Sequence, residues 1–150
     1  KDPQPLFDAA GFEFEYHYRP AREKLRKIYV SCDIFLCSSW HEGLGLTGME
    51  AMACRCSLVT TNTGGCLEYA IDGETALVSE SRDIVGLSRN LIRLLEDEAL
   101  LKSLSEDGYR KINEFNWEES CDRLICLFNE SLTQGSINVM PKKNKKIFDH

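Results

Sequence analysis

Two glutamates with seven residues between them, Glu42 and Glu50, flank the glycine-bearing run Gly43-Leu44-Gly45-Leu46-Thr47-Gly48. Carboxylates accept hydrogen bonds from hydroxyl groups, and backbone N–H groups freed at a glycine turn can donate to phosphate. The apolar run Ile34-Phe35-Leu36-Cys37 comes just before and gives way to the polar Ser38 and Ser39. A buried strand ending there delivers the next residues to the carboxyl edge of its sheet, where open α/β sheets bind ligands. From about Thr47 the pattern is helical, and a helix begins with unsatisfied N–H donors and the positive end of its dipole. Glu42 precedes this helix and Glu50 falls on its second turn, so both can face one crevice. Phosphate donors between two hydroxyl-seeking carboxylates describe a site for a nucleotide sugar.

Each glutamate also has a plainer reading. A carboxylate near a helix start complements the dipole by about 0.3–1 kcal/mol, and Glu42 alone fits that description. Glu50 sits among Leu46, Met49, Met52 and Ala53, so an ionised carboxylate in that apolar setting is expected to have partners. The same residues also spell Gly43-x-Gly45-x-x-Gly48, the glycine spacing of a dinucleotide fingerprint. That fingerprint calls for an acid at the end of the next strand to hold the adenosine ribose. Here Ser57-Leu58-Val59-Thr60-Thr61 ends in Asn62-Thr63-Gly64-Gly65, and the first carboxylate is Glu68. An NAD-type site therefore lacks its confirming residue.

The run from Glu42 to Ala53, followed by Leu58-Val59-Thr60-Thr61 and Gly64-Gly65-Cys66-Leu67-Glu68, resembles the retaining glycosyltransferases of the GT-B fold. More narrowly it is similar to the group 1 (family 4) nucleotide-sugar transferases, whose signature is E-x7-E. The resemblance extends from about Tyr16 to Leu132 and takes in Ile71-Asp72-Gly73-Glu74-Thr75-Ala76-Leu77-Val78 and Asn116-Trp117-Glu118. It implies the carboxyl-terminal, donor-binding half of such an enzyme. Glu42 would be the catalytic-site carboxylate, bonded to donor-sugar hydroxyls near the reacting carbon. The amides of Gly43, Leu44, Gly45, Leu46 and Thr47 would hold the sugar and diphosphate, and Glu50 the nucleotide ribose. Trp40, His41, Gly64 and Gly65 are candidate pocket-lining residues. The implied chemistry retains the anomeric configuration and uses neither a metal nor a cofactor, and the chain contains no Asp-x-Asp motif.

The chain departs from that family in two respects. Where the family usually has Gly-x-Pro, this chain has Arg55-Cys56-Ser57. The family's pyrophosphate-binding Arg and Lys lie nearer the start of the domain, whereas Arg19 and Arg22 follow a different strand. Residues 1–133 are expected to form a donor-binding domain incomplete at its start, and residues 134–150 a lysine-bearing tail. The acceptor-binding amino-terminal domain is expected to lie outside the chain, which by itself should not transfer sugar. Two further classes stand beside the transferase: a nucleotide-binding module without catalysis, and an NAD-type oxidoreductase domain. The donor is expected to be a nucleotide sugar, and the acceptor a saccharide or glycolipid met through the other domain.

Composition sets outer bounds. One hundred and fifty residues, 43% hydrophobic and 28% charged, suit one soluble globular domain. No apolar stretch approaches the length needed to span a bilayer. The opening Lys1-Asp2-Pro3-Gln4-Pro5 has no signal-peptide character and no initiator methionine, so a start inside a longer parent is expected. Seven cysteines, an odd number with no C-x-x-C pair, suggest neither a disulfide framework nor a zinc site. Most sit in apolar runs and read as small hydrophobes, with Cys54, Cys56 and Cys66 near enough to the crevice to consider a reactive thiol. Reduced thiols point to the cytoplasm. The net charge is −6, yet the last ten residues hold four lysines against Asp149. The remainder carries 14 basic and 23 acidic residues, which argues against nucleic acid as a partner. The tail invites either simple solvation or peripheral contact with anionic lipid at the inner face of a membrane.

The elements that must position the glutamates alternate along the chain. Phe12 to Tyr18 alternates as a half-buried strand does, with His17 near its end. A helix follows Pro20, with Leu25, Ile28 and Tyr29 as its apolar stripe. Strands are expected at 34–37, 57–61 and 76–78, and helices at about 47–54, briefly after Gly65, then after Asp83 as an N-cap, at 99–113 and at 117–132. Trp117 reads as a core anchor under the late helices. The alternation predicts an α/β fold, a doubly wound parallel sheet with helices on both faces, like the Rossmann-like carboxyl-terminal half of a GT-B enzyme.

Overall fold

The computed structural model describes Gly11 and residues 13–133. These fall into two units that divide after Asn113. In the first, the helix α1 (Arg22–Val30) is followed by β1 (Ile34–Cys37), α2 (Leu46–Ala53) and β2 (Ser57–Thr61). A 3₁₀ turn (Gly65–Glu68), β3 (Ala76–Ser79), α3 (Ile84–Glu96) and α4 (Glu98–Ile112) complete it. The second unit contains α5 (Trp117–Thr133).

The three strands pair in parallel in the order β1-β2-β3, with Phe35 beside Leu58 and Leu58 beside Ala76. Every residue of β2 is buried, as befits the central strand of a parallel sheet covered on both faces. Alternate side chains feed two cores. Leu58 and Ala76 pack with Phe35, Met49 and Met52 beneath α2, and Tyr69 and Ala70 join them. Val59 and Leu77 face the other way and meet Leu87 and Leu94 of α3 and Leu104 of α4. Each such aliphatic side chain contributes about 1.5–3 kcal/mol on burial. The doubly wound arrangement expected from the alternation is therefore present, with helices on both faces of the sheet.

The helix starts follow local chemistry. Asp83 accepts a hydrogen bond from the Gly86 amide at 2.8 Å to open α3, and Asp97 accepts from Leu100 at 2.9 Å to open α4. Asn116 does the same for the Glu119 amide at 2.7 Å ahead of α5.

Three expectations need correcting. Residues 13–18 form no strand and take no place in the β1-β2-β3 sheet, since an alternating pattern by itself does not supply a ladder; Phe12 lies outside the described residues. Trp117 is 85% exposed instead of anchoring a core, since a side chain on a first helical turn points back past the helix start. Of the cysteines, which are all free, only Cys56 and Cys66 are buried; Cys32, Cys121 and Cys126 are exposed. The expected lysine tail at 134–150 lies outside the described residues. No helix among the described residues is long and apolar enough to cross a membrane.

Candidate functional site

The chain leaves β1 at Cys37 and crosses the carboxyl edge of the sheet, where the other two strand ends fasten it. Thr61, the last residue of β2, donates its hydroxyl to the Ser39 carbonyl. Ser81, just past β3, donates to the Trp40 carbonyl at 3.1 Å, and the Arg82 guanidinium sits 4.8 Å from the centre of the Trp40 ring. Trp40 is nonetheless 58% exposed, and His41 is exposed beside it. Glu42 pairs with Gly64 as an isolated parallel bridge, which joins this loop to the one leaving β2. The Glu42 side chain is exposed, and its Oε1 accepts a hydrogen bond from the Ser39 hydroxyl at 2.6 Å.

The glycine turn follows. Gly45 has φ +79° and takes the N-cap position of α2, where no side chain caps the helix. A left-handed residue is natural for glycine there, and the uncapped start leaves amides free for an anion. The turn is held from below by Tyr69, whose hydroxyl donates to the Gly45 carbonyl at 2.8 Å. A Cβ at Gly45 or Gly48 would lie 2.8 or 2.7 Å from that hydroxyl, so the buried tyrosine accounts for both glycines without invoking a dinucleotide. Burial pushes the Tyr69 phenol well up, helped by the neighbouring Cys66, Cys37 and Glu42, and it stays a neutral donor at ordinary pH. Gly65 abuts the loop even more closely: a Cβ there would stand 1.8 Å from the Gly43 carbonyl oxygen. Gly64, with φ +88°, is exposed beside it, while Leu44, Leu46 and Thr47 are exposed at the lip.

Glu50 occupies a different setting from the one its neighbours suggested. Ala51 and Met52 turn to the sheet, which leaves Glu50 exposed toward α1 and not enclosed by apolar side chains. It borders a cavity of about 420 Å³ walled by Arg22, Leu25, Arg26 and Tyr29 of α1 and by Cys54. The Tyr29 hydroxyl donates to Glu50 Oε2 at 3.4 Å. Burial first, and the Glu50 carboxylate second, push this phenol up to about 12. Glu42 is not among the walls of this cavity. Arg22, set aside on sequence grounds, thus lies beside Glu50.

Arg22, Arg26 and Tyr29 stand at positions i, i+4 and i+7 of one helix face, a spacing visible in the sequence, and Tyr29 belongs both to that face and to the apolar stripe of α1. Tyr69 left no such signal. At the departure from the family pattern, Arg55 takes a left-handed φ of +68°. Its guanidinium lies 4.0 Å from the centre of the Tyr109 ring and pairs with Glu106. A bulky residue is thereby held where the family usually has glycine.

Comparison with known proteins places this arrangement in a lineage. The family model for glycosyl transferases group 1 matches residues 14–111, the greater part of the chain. An uncharacterized glycosyltransferase of Methanocaldococcus jannaschii is 30% identical over 101 residues, covering 67% of this chain and 29% of that protein. Sucrose-phosphate synthase from Thermosynechococcus elongatus superposes with a TM-score of 0.76 at 25% identity, over 87% of this chain and 34% of its own. The C-terminal domain of a group 1 glycosyl transferase from Francisella tularensis shares the fold, with a TM-score of 0.66 at 24% identity, over 74% of this chain and 58% of that one. The chain thus spans under a third of the length of the curated relative. With its parallel sheet, glycine turn and flanking carboxylates, the chain belongs to the group 1 glycosyltransferases.

Proposed function

We propose that this chain is the donor-binding part of a retaining, metal-independent glycosyltransferase that needs no cofactor. The observation that carries the reading is an uncapped helix start between two exposed carboxylates, one over the glycine turn and one on the α1–α2 cavity. In this reading the diphosphate lies against the amides of Gly43 to Thr47, where N–H dipoles stabilise the charge that develops as the sugar departs. Glu42 accepts hydroxyl groups of the donor sugar. Glu50 accepts the ribose hydroxyls in a cavity that Arg22, Arg26 and Glu23 also line. Trp40 and His41 form the outer lip. The acceptor, a saccharide or glycolipid, meets the donor through a further domain, because transfer requires both reactants to be held together. The protein works in the cytoplasm.

A dinucleotide-binding reading is less well supported. Where that fold places an acid, the chain has Asn62, whose side-chain oxygen accepts the Gly64 amide at 3.0 Å. A nucleotide-binding module that does not catalyse shares every donor contact and differs only in turnover.

Titration calorimetry with UDP, GDP, ADP and NAD tests the reading. A nucleoside diphosphate should bind and NAD should not. Glu50→Ala should cost about 1.5–3 kcal/mol of that binding, the range for hydrogen bonds to a charged group, and Glu50→Gln less. Glu42→Ala should leave nucleoside diphosphate affinity nearly unchanged. Unaltered binding in both Glu50 variants would remove the ribose role. In the full-length enzyme, product with the inverted anomeric configuration would overturn the retaining assignment.

A further inference from the structure

We propose that Ser39 is the positioning residue for Glu42, aiming one carboxylate oxygen at the donor sugar by holding the other. The inference rests on the donor-sugar role given to Glu42 above. The Ser39 hydroxyl donates to Glu42 Oε1 at 2.6 Å, a short charge-assisted bond. The other oxygen, Oε2, points across the turn and lies 3.7 Å from where a Cβ on Gly45 would stand. One lone-pair edge is thus occupied and the other left over the turn, beside the uncapped start of α2.

Ser39 is itself set on both sides. Its carbonyl accepts the Thr61 hydroxyl from the end of β2, which fixes its backbone. The Cys37 thiol lies 3.6 Å from the Ser39 hydroxyl oxygen and donates to it, which leaves the hydroxyl proton for Glu42. Cys37, Ser39 and Glu42 therefore form a directional chain of donors that starts on β1 and ends at the carboxylate. Glu42 is exposed, and a free carboxylate on a loop samples several rotamers. A single anchored oxygen reduces that freedom before the sugar arrives.

The test compares nucleoside diphosphate with nucleotide sugar on the same variants, using UDP with UDP-glucose and GDP with GDP-mannose in titration calorimetry. The ratio of the two dissociation constants isolates what the sugar adds. Ser39→Ala should weaken the nucleotide sugar by about tenfold and leave the nucleoside diphosphate unchanged, as loss of one charged hydrogen bond implies. Ser39→Thr, which keeps a hydroxyl, should recover most of the ratio. In a Glu42→Ala background, Ser39→Ala should have no further effect. Equal weakening of both ligands would show a merely structural serine and overturn the proposal, as would a parental ratio in Ser39→Ala. If Glu42→Ala itself leaves the ratio unchanged, the donor-sugar role of Glu42 falls and this proposal with it. A parental ratio in Ser39→Ala beside a lowered one in Glu42→Ala sinks the serine alone.

Discussion

Gly43 and Gly65 belong to one site but answer to different constraints. A Cβ on Gly65 would collide with the Gly43 carbonyl, whereas a Cβ on Gly43 meets nothing within 4 Å and its backbone is not left-handed. The obstacle at Gly65 is backbone, so relief requires the two loops to part. Gly65→Ala is expected to cost about 1–3 kcal/mol, in the range of overpacking, and to weaken nucleotide-sugar binding as the Glu42–Gly64 bridge opens. Gly43→Ala should change stability by less than about 0.5 kcal/mol, as surface substitutions usually do. Urea denaturation of the two variants checks this; equal losses would show that the loop contact is not what constrains residue 65. At Arg55 the opposite solution operates. A non-glycine residue accepts a strained φ because Tyr109 and Glu106 hold its side chain and Ser105 donates to its carbonyl at 2.7 Å.

Among the elements, α2 and α3 show what a helix start is for. The α3 start is closed by Asp83, whose carboxylate takes the Gly86 amide, and the helix then buries Leu87 and Leu94. Asp83→Ala should lower stability by about 0.5–2 kcal/mol, the usual cost of an N-cap, without altering nucleotide affinity. A shift in nucleotide affinity measured alongside the melt would place this turn in the site. The α2 start, by contrast, has glycine and no side-chain cap. That helix has eight residues, and its stability comes from Ala51 and Met52, which are packed in the core, so its first turn stands without a side-chain cap.

For the sheet unit as a whole, two buried groups set an alkaline limit. Burial pushes the Cys56 thiol from 9.0 up to about 11 and, with Glu50, the Tyr29 phenol from 10.0 up to about 12. Cys56 donates to the Tyr29 carbonyl at 3.1 Å, so both sit in one cluster between α1 and α2. In each case folding favours the protonated form, and the unfolded chain releases its proton at a lower pH than the folded one. Their contribution is complete below pH 9 and declines as pH rises through 11 for Cys56 and 12 for Tyr29. Urea midpoints should therefore fall from pH 9 upward, and Cys56→Ala should flatten the part of the decline between 9 and 11. A midpoint independent of pH over that range would show that neither proton is linked to folding.

The sequence by itself determined the order of helices and strands from α1 onward, the cap at Asp83, and the juxtaposition of an E-x7-E spacing with a glycine turn after a strand. These are local properties: hydrophobic period, a capping side chain three residues from its amide, and a turn that suits glycine. That strand, β1, was expected to be buried but is only partly so, with Leu36 45% exposed at the sheet's edge. What the tertiary structure decided concerns residues brought together from afar. Tyr69 reaches the Gly45 carbonyl across 24 positions, Thr61 reaches Ser39 across 22, and Tyr29 reaches Glu50 across 21. Each pairing depends on the register of β1 against β2 and on how α1 lies beside α2, which no local pattern encodes. The strand expected over Phe12 to Tyr18 likewise depended on more than its alternating pattern, and the described part, residues 13–18, takes no place in the β1-β2-β3 sheet. Glu50 likewise looked buried among apolar neighbours, but helical periodicity turned only Met52 and Met49 of them to the core, left Leu46 exposed, and set the carboxylate with Ala53 on the cavity lined by α1.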